Sequence, residues 1–176
     1  SEMCIREVVN EGTGTVELKT GTRIVKTNTS NVTAVTNQGT GTIKISGANI
    51  ENEKGGYSIG VYNAGEGLIE VTDGKINFTA DYYEGDATQI LNEGAGTIRV
   101  TGGTICETDY RSHAIRNTGS GKVEITGGTI GGDSYRGYPS VTNNKDGNVT
   151  VSGNATLTSY ISCLLYTSPS PRDYAA

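Results

Sequence analysis

A unit of about 25 to 29 residues recurs six times, and a chain built this way cannot fold as an ordinary globular domain. The clearest copy is Ala114-Ile115-Arg116-Asn117-Thr118-Gly119-Ser120-Gly121-Lys122-Val123-Glu124-Ile125-Thr126-Gly127-Gly128-Thr129-Ile130. The asparagines Asn10, Asn37, Asn63, Asn92, Asn117 and Asn143 mark the copies. Two places before each stands Val8, Val35, Val61, Ile90, Ile115 or Val141. Six places after comes Val16, Ile43, Ile69, Ile98, Val123 or Val149, and eight places after comes Leu18, Ile45, Val71, Val100, Ile125 or Val151. A fourth apolar column is Ile24, Ile50, Ile76, Ile105, Ile130 and Leu157.

The short segments alternate apolar and polar residues, are β-branched, and are broken by Gly-rich turns, so they read as strands. One unit is too short to bury its own apolar face, and stacked copies bury a continuous core. The expected fold is all-β: a parallel β-helix or β-solenoid of about six coils of 25–29 residues, with about three short strands per coil. Six coils at about 4.8 Å each give a rod roughly 30 Å long. The outward residue between the two central apolar columns supports this register. It reads Glu17, Lys44, Glu70, Arg99, Glu124, Thr150, and its sign alternates down five coils. Opposite charges on neighbouring strands stabilise by roughly 0.2–1 kcal/mol each.

Composition agrees with a narrow Val/Ile core: 26 Gly, one Phe and no Trp among 176 residues. The net charge of −5, without a basic stripe, argues against nucleic acid and against an anionic membrane surface. No apolar run is long enough to span a bilayer, so direct membrane insertion is not expected. Cys4, Cys106 and Cys163 have neither metal spacing nor a disulfide framework, and no metal or cofactor is expected. Five Asn-x-Ser/Thr matches, at Asn28, Asn31, Asn77, Asn148 and Asn154, arise freely in a chain rich in Asn and Thr.

Residues 1–159 are expected to form the solenoid. The chain opens inside what reads as the end of an earlier coil (Ile5 to Asn10), so a fragment with further coils in a parent protein is expected. Residues 160–176 break the pattern, with Pro169 where another Asn would fall. The run from Cys163 to Asp173 resembles a peptide found at the ends of unrelated metagenomic open reading frames, a translated sequencing adaptor. The whole tail is expected to lie outside the fold.

The unit Asn-x-Gly-x-Gly-x-Ile-x-Ile-Thr-Gly-Gly-x-Ile resembles the repeats of right-handed parallel β-helix regions in large secreted or wall-attached proteins of gut bacteria. The resemblance, to a pectin-lyase-like architecture, covers residues 5–159. It implies a secreted or cell-surface location and a class that holds polysaccharide lyases, glycoside hydrolases, adhesins and passive stalks. The architecture alone does not choose among them.

Chemistry has few candidates. The Asn column reads as a structural ladder, with side chains bonding their neighbours above and below and Asn tolerating left-handed backbone in turns. The glycines after each Asn are expected to serve the turns for the same backbone reason. Length differences between coils fall on one side, where binding loops of solenoids usually sit. That side carries Tyr57, Tyr82, Tyr83, Tyr110, Tyr135 and Tyr138 among Asp81, Glu84, Asp86, Glu107, Asp109, Arg111, Asp133 and Arg136. Tyr82, Tyr83, Asp109, Tyr110, Arg111, Asp133, Tyr135, Arg136 and Tyr138 form the candidate ligand site, with polysaccharide or host glycan as partner. Tyr offers a large contact area at low entropic cost. The other reading is that these rings cover the solenoid's apolar edge.

No catalytic residue is assigned. Carboxylate pairs for a glycosidase are too abundant in this chain to inform, and no strand face gathers the oxygens that calcium needs. His113, the single histidine, has no second ligand beside it in sequence and is expected on a surface loop. The 25-residue and longer period excludes the nine-residue calcium roll. The Gly-Thr-Gly-Thr turns hint at ice-binding arrays but lapse in three coils. The expected function is a non-catalytic structural or adhesin-like surface module. The alternative is a fragment of a polysaccharide lyase or glycoside hydrolase.

Overall fold

The computed structural model describes residues 3–5, 7–27, 31–52, 56–80, 85–106, 112–131, 138–144 and 146–163. Strand β1 (Met3–Ile5) is followed by β2 (Val8–Asn10), β3 (Thr15–Lys19) and β4 (Thr22–Lys26) in the first coil. The second coil holds β5 (Val32–Asn37) and β6 (Thr42–Asn52), and the third holds β7 (Ser58–Asn63) and β8 (Leu68–Asn77). The fourth is β9 (Ala87–Asn92), β10 (Thr97–Val100) and β11 (Thr104–Ile105), and the fifth is β12 (Ser112–Asn117), β13 (Lys122–Ile125) and β14 (Thr129–Ile130). The last is β15 (Val141–Asn143), β16 (Asn148–Val151) and β17 (Thr156–Leu157), after which β18 (Ile161–Cys163) returns beside β15. The described residues contain no helix.

Every strand pair is parallel, and the coils stack as a β-solenoid of about five turns. The six asparagines that mark the copies are separated by five coil-to-coil steps. The strands form two sheets, of eleven and seven strands, where three short strands per coil were expected. The second and third segments of each coil share the eleven-stranded sheet. In β6 and β8 they run together as one strand, with register shifts between Ile45 and Asn49 marking the bend. A glycine with positive φ, such as Gly74 at 102°, takes the sharpest point of that corner.

The apolar columns pair in register. Ile43, Ile69, Ile98 and Val123 stack directly, as do Ile50, Ile76, Ile105 and Ile130. These eight side chains are wholly buried, and Val35, Val61, Ile90, Ile115 and Val141 close the core from the seven-stranded sheet. The outward charge column forms the expected ion pairs in the middle of the rod. Lys44 Nζ lies 3.6 Å from Glu70, and Arg99 bridges Glu70 at 4.0 Å and Glu124 at 3.0 Å. Glu17 instead bonds Lys19 on its own strand and Ser46 on the next. Those two bonds hold its carboxyl below the usual range.

One boundary differs from the sequence expectation. Ile161–Cys163 pairs with Val141–Asn143, so solenoid pairing continues past residue 159, and Cys163 occupies the place of the next Asn only 20 residues after Asn143. Phe78, on the side where the coils differ in length, is a fully buried core residue. It fits because the residue beside it, on β7 of the same coil, is Gly60. A Cβ there would stand 3.2 Å from the Phe78 ring, 2.9 Å from Ile76 and 2.7 Å from the Gln89 carbonyl. The Gln89 side chain, itself buried, accepts from the Phe78 amide and donates to its carbonyl at 2.8 Å, while Ser112 Oγ donates to that carbonyl at 3.1 Å. The backbone leaving the core is thereby hydrogen-bonded without a strand partner.

Candidate functional site

Each strand of the seven-stranded sheet except β18 ends at a repeated Asn, and the opposite end faces the variable edge, so the two ends define two places where polar side chains gather. At the Asn end, Asn37 Nδ2 donates to Asn63 Oδ1 at 3.0 Å, Asn63 to Asn92 at 2.8 Å, Asn92 to Asn117 at 2.7 Å and Asn117 to Asn143 at 2.7 Å. Each amide also donates to the carbonyl four residues on, as Asn37 does to Gly41 at 3.0 Å. The ladder has four links, and Asn10 is outside it. Asn10 bonds Gly14 of its own turn at 3.1 Å, and Asn37 Oδ1 is left buried without a donor. None of the six asparagines has positive φ, so side-chain bonding and not left-handed backbone selects this residue.

The glycines of that corner are also explained differently from expectation. Gly39, Gly41 and Gly67 do not have positive φ. The corner needs them because stacked turns nearly touch: a Cβ on Gly67 would lie 2.2 Å from the Gly41 carbonyl oxygen and 2.3 Å from Asn37 Nδ2. On Gly14, which has no turn beneath it in the described chain, a Cβ would meet nothing within 4 Å. The Asn–Asn bonds and the close glycine contacts run from coil to coil.

The variable edge is where an opening forms. Of the candidate ligand residues, Tyr82, Tyr83, Asp109, Tyr110, Arg111, Asp133, Tyr135 and Arg136 lie outside the described residues. Tyr138 is half-buried; its hydroxyl donates to Asp86 Oδ1 at 2.8 Å, and its ring meets His113 edge-on at a centroid distance of 4.6 Å and 68°. His113 is therefore not on a surface loop. It stands in β12, directly beside Thr88 of β9, and is half-buried. Burial first, and the neighbouring Arg116 cation second, push its pKa down to about 4 against the opposing pull of Asp86. The ring is neutral at neutral pH, and its Nδ1 is buried with no hydrogen-bond partner.

Two outward columns cross the sheet here. Four places before each ladder Asn stand Thr33, Ile59, Thr88 and His113; one place before stand Val9, Thr36, Tyr62, Leu91, Arg116 and Thr142. Thr33, Ile59, Thr88, Leu91 and Arg116 of these columns floor a groove of about 280 Å3, walled by Asn31, Val32, Tyr57, Ser58 and Asp86. Tyr57 is 63% exposed at its rim. A second depression, of about 450 Å3, shares Asn31, Val32 and Thr33 with it and continues over Thr36 and Tyr62 toward Glu7 and Lys26. The Tyr62 hydroxyl donates to Glu93 at 2.6 Å, and that carboxylate pushes its pKa up to about 12.

Ile59, Leu91, Arg116 and His113 were not singled out from sequence as a group. The available signal was positional: apolar and aromatic residues at two outward offsets from the repeating Asn. Chemically the groove offers an exposed ring, an apolar floor, hydroxyls, one carboxylate and one guanidinium. Among the described residues no three His, Cys, Asp or Glu side chains converge as metal ligands, and no helix is long and apolar enough to cross a membrane. Comparison of the chain with family models, curated proteins and solved structures returns no match.

Proposed function

We propose that this chain is a non-catalytic structural module of an adhesin-like, secreted or cell-surface protein of bacterial pectin-lyase-like type, and that it meets carbohydrate on the variable edge and the groove beside it. The observation that carries this reading is the division of labour between the two ends of the seven-stranded sheet. The repeated polar residues bond their own copies in adjacent coils, which makes a stiff scaffold. The unrepeated ones surround an open groove rimmed by an exposed Tyr. An aromatic rim over hydroxyls and a carboxylate suits sugar rings, which present an apolar face and a polar perimeter.

The test is to pass plant and host polysaccharides over the immobilised full chain, with and without Ca2+, and to follow both retention and new chain ends. Retention without new ends, weakened by Tyr57→Ala, is the expected result. Ca2+-dependent appearance of new ends would overturn the reading and make this a polysaccharide lyase or hydrolase of the same architecture. Neither retention nor cleavage by a folded chain would leave a passive stalk.

A further inference from the structure

We infer that the groove on the outer face of the seven-stranded sheet is a subsite for one acidic sugar residue, its anionic group held by Arg116 and its ring laid against Tyr57. This rests on the carbohydrate reading above and assigns that reading a ligand class and a place. The argument begins with a comparison of the three arginines among the described residues. Arg23 is paired with Glu51 at 2.7 Å, and Arg99 lies between Glu70 and Glu124. Among the described residues Arg116 has no ion-pair partner. Its neighbours in the outward column are Leu91 on one side and Thr142 on the other, and its Nε is buried with no acceptor.

A half-buried guanidinium with an unmade hydrogen bond is costly, and such a group calls for a partner that the chain itself does not supply. Arg is also the side chain best shaped for a planar anionic group. The rest of the groove restricts what carries the anion. Asp86 lines the same groove, so the anionic end of a ligand is repelled there and must lie toward Arg116. A carboxylate offers about four lone-pair sites. Asp86 accepts from Tyr138, and a carboxylate in this lining suits ligand hydroxyls rather than a ligand anion. Ile59 and Leu91 give an apolar floor, and Tyr57 offers a ring face at the rim. An anion at one end, a hydroxyl donor at the other and an apolar face between them describe an acidic sugar.

The volume of about 280 Å3 lies at the low end for ligand pockets and matches one ring, not an oligosaccharide. The adjoining depression leaves a path for the next residue of a chain. The anionic group can be a carboxylate or a sulfate, which share this chemistry.

Saturation-transfer NMR on the full chain separates the possibilities, with glucuronic acid, glucose 6-sulfate, glucose and acetate as probes at equal millimolar concentration. One or both acidic sugars should bind, glucose at least about tenfold more weakly. Arg116→Gln should cost the acidic sugar about tenfold or more and Arg116→Lys less, while Arg23→Gln on the other sheet should leave binding unchanged. Circular dichroism melts confirm that each variant folds. Whichever acidic sugar binds identifies the anion. Glucose binding as well as the acids, indifference to Arg116→Gln, or acetate binding equally well with no effect of Tyr57→Ala would each overturn the assignment. If polysaccharides are retained while acidic monosaccharides are ignored, the subsite fails and the broader carbohydrate reading stands. If nothing is retained, both fail.

Discussion

The two ends of each strand in the seven-stranded sheet are built on opposite rules. At the Asn end every residue meets its own copy: Asn63 lies between Asn37 and Asn92, and Gly67 sits against Gly41. Change at one coil is felt by the next, so the pattern must repeat. At the other end a residue meets something different in the next coil. The column beside the core there reads Ala34, Gly60, Gln89, Ala114, Ser140; only in the third and fourth coils do Gly60 and Gln89 combine to seat Phe78. Repetition in a solenoid is thus enforced where like stacks on like. Where contacts are one-off, coils are free to differ in length, and an opening can form.

That contrast can be pressed hardest at Phe78. Phe78→Ala should cost about 3–5 kcal/mol, as full deletion of a buried ring does, while the Gln89 bonds to the main chain at this position are kept. A loss near 1 kcal/mol in a urea melt would mean that the variable edge is not part of the core. Next comes Gly67→Ala, which should cost about 3 kcal/mol because a carbonyl oxygen stands where the methyl would go. Gly14→Ala, with open space around it, should fall within about 0.5 kcal/mol of wild type. Equal costs at the two positions would contradict coil-to-coil contact as the reason for these glycines.

Asn92→Ala should cost about 2 kcal/mol, since it removes one of the two acceptors of the Asn63 amide and leaves the buried Asn117 carbonyl oxygen without a donor. Asn10→Ala should cost under about 1 kcal/mol, because it breaks only bonds within its own turn. The smallest effect is on pH. Folding lowers the pKa of His113 from 6.5 to about 4, so between those values the unfolded chain takes up a proton that the folded chain refuses. The stability contributed by neutral His113 is complete above pH 6.5 and is lost as pH falls toward 4. The ring is partly exposed, and solvent screening reduces the effect to about 1 kcal/mol. His113→Gln should flatten that part of the stability curve; an unchanged slope would mean that the ring is not held neutral.

The strands, their register and the core columns were legible because the period is short and each column is stacked on chemically similar residues. Val35 or Ile98 can be placed by counting from an Asn. What counting does not reveal is a reason. The glycines after each Asn looked like turn formers; their true constraint is the carbonyl of the turn below, which is a contact 26 or so residues away in sequence. His113 looked like a loop residue because it falls where coils differ in length, as does Phe78. Their places are fixed by Gln89, Gly60, Thr88 and Tyr138, and none of those repeats. The groove was hidden for a related reason: its two outward columns mix Thr, Ile, His, Tyr, Leu and Arg, so no single residue type marks them. The end of the solenoid was placed at residue 159 by the lapse of the Asn spacing, whereas backbone pairing through Cys163 needs no Asn at all.

Hydrogen exchange at the side-chain amides, read by NMR on the full chain, tests the coil-to-coil scaffold most directly. The account predicts strong protection of Asn37, Asn63, Asn92 and Asn117, whose amides link one coil to the next, and rapid exchange at Asn10, which bonds only its own turn. Uniform exchange across all five would contradict the ladder, and with it the claim that the repeated corner is the scaffold from which the groove is held open.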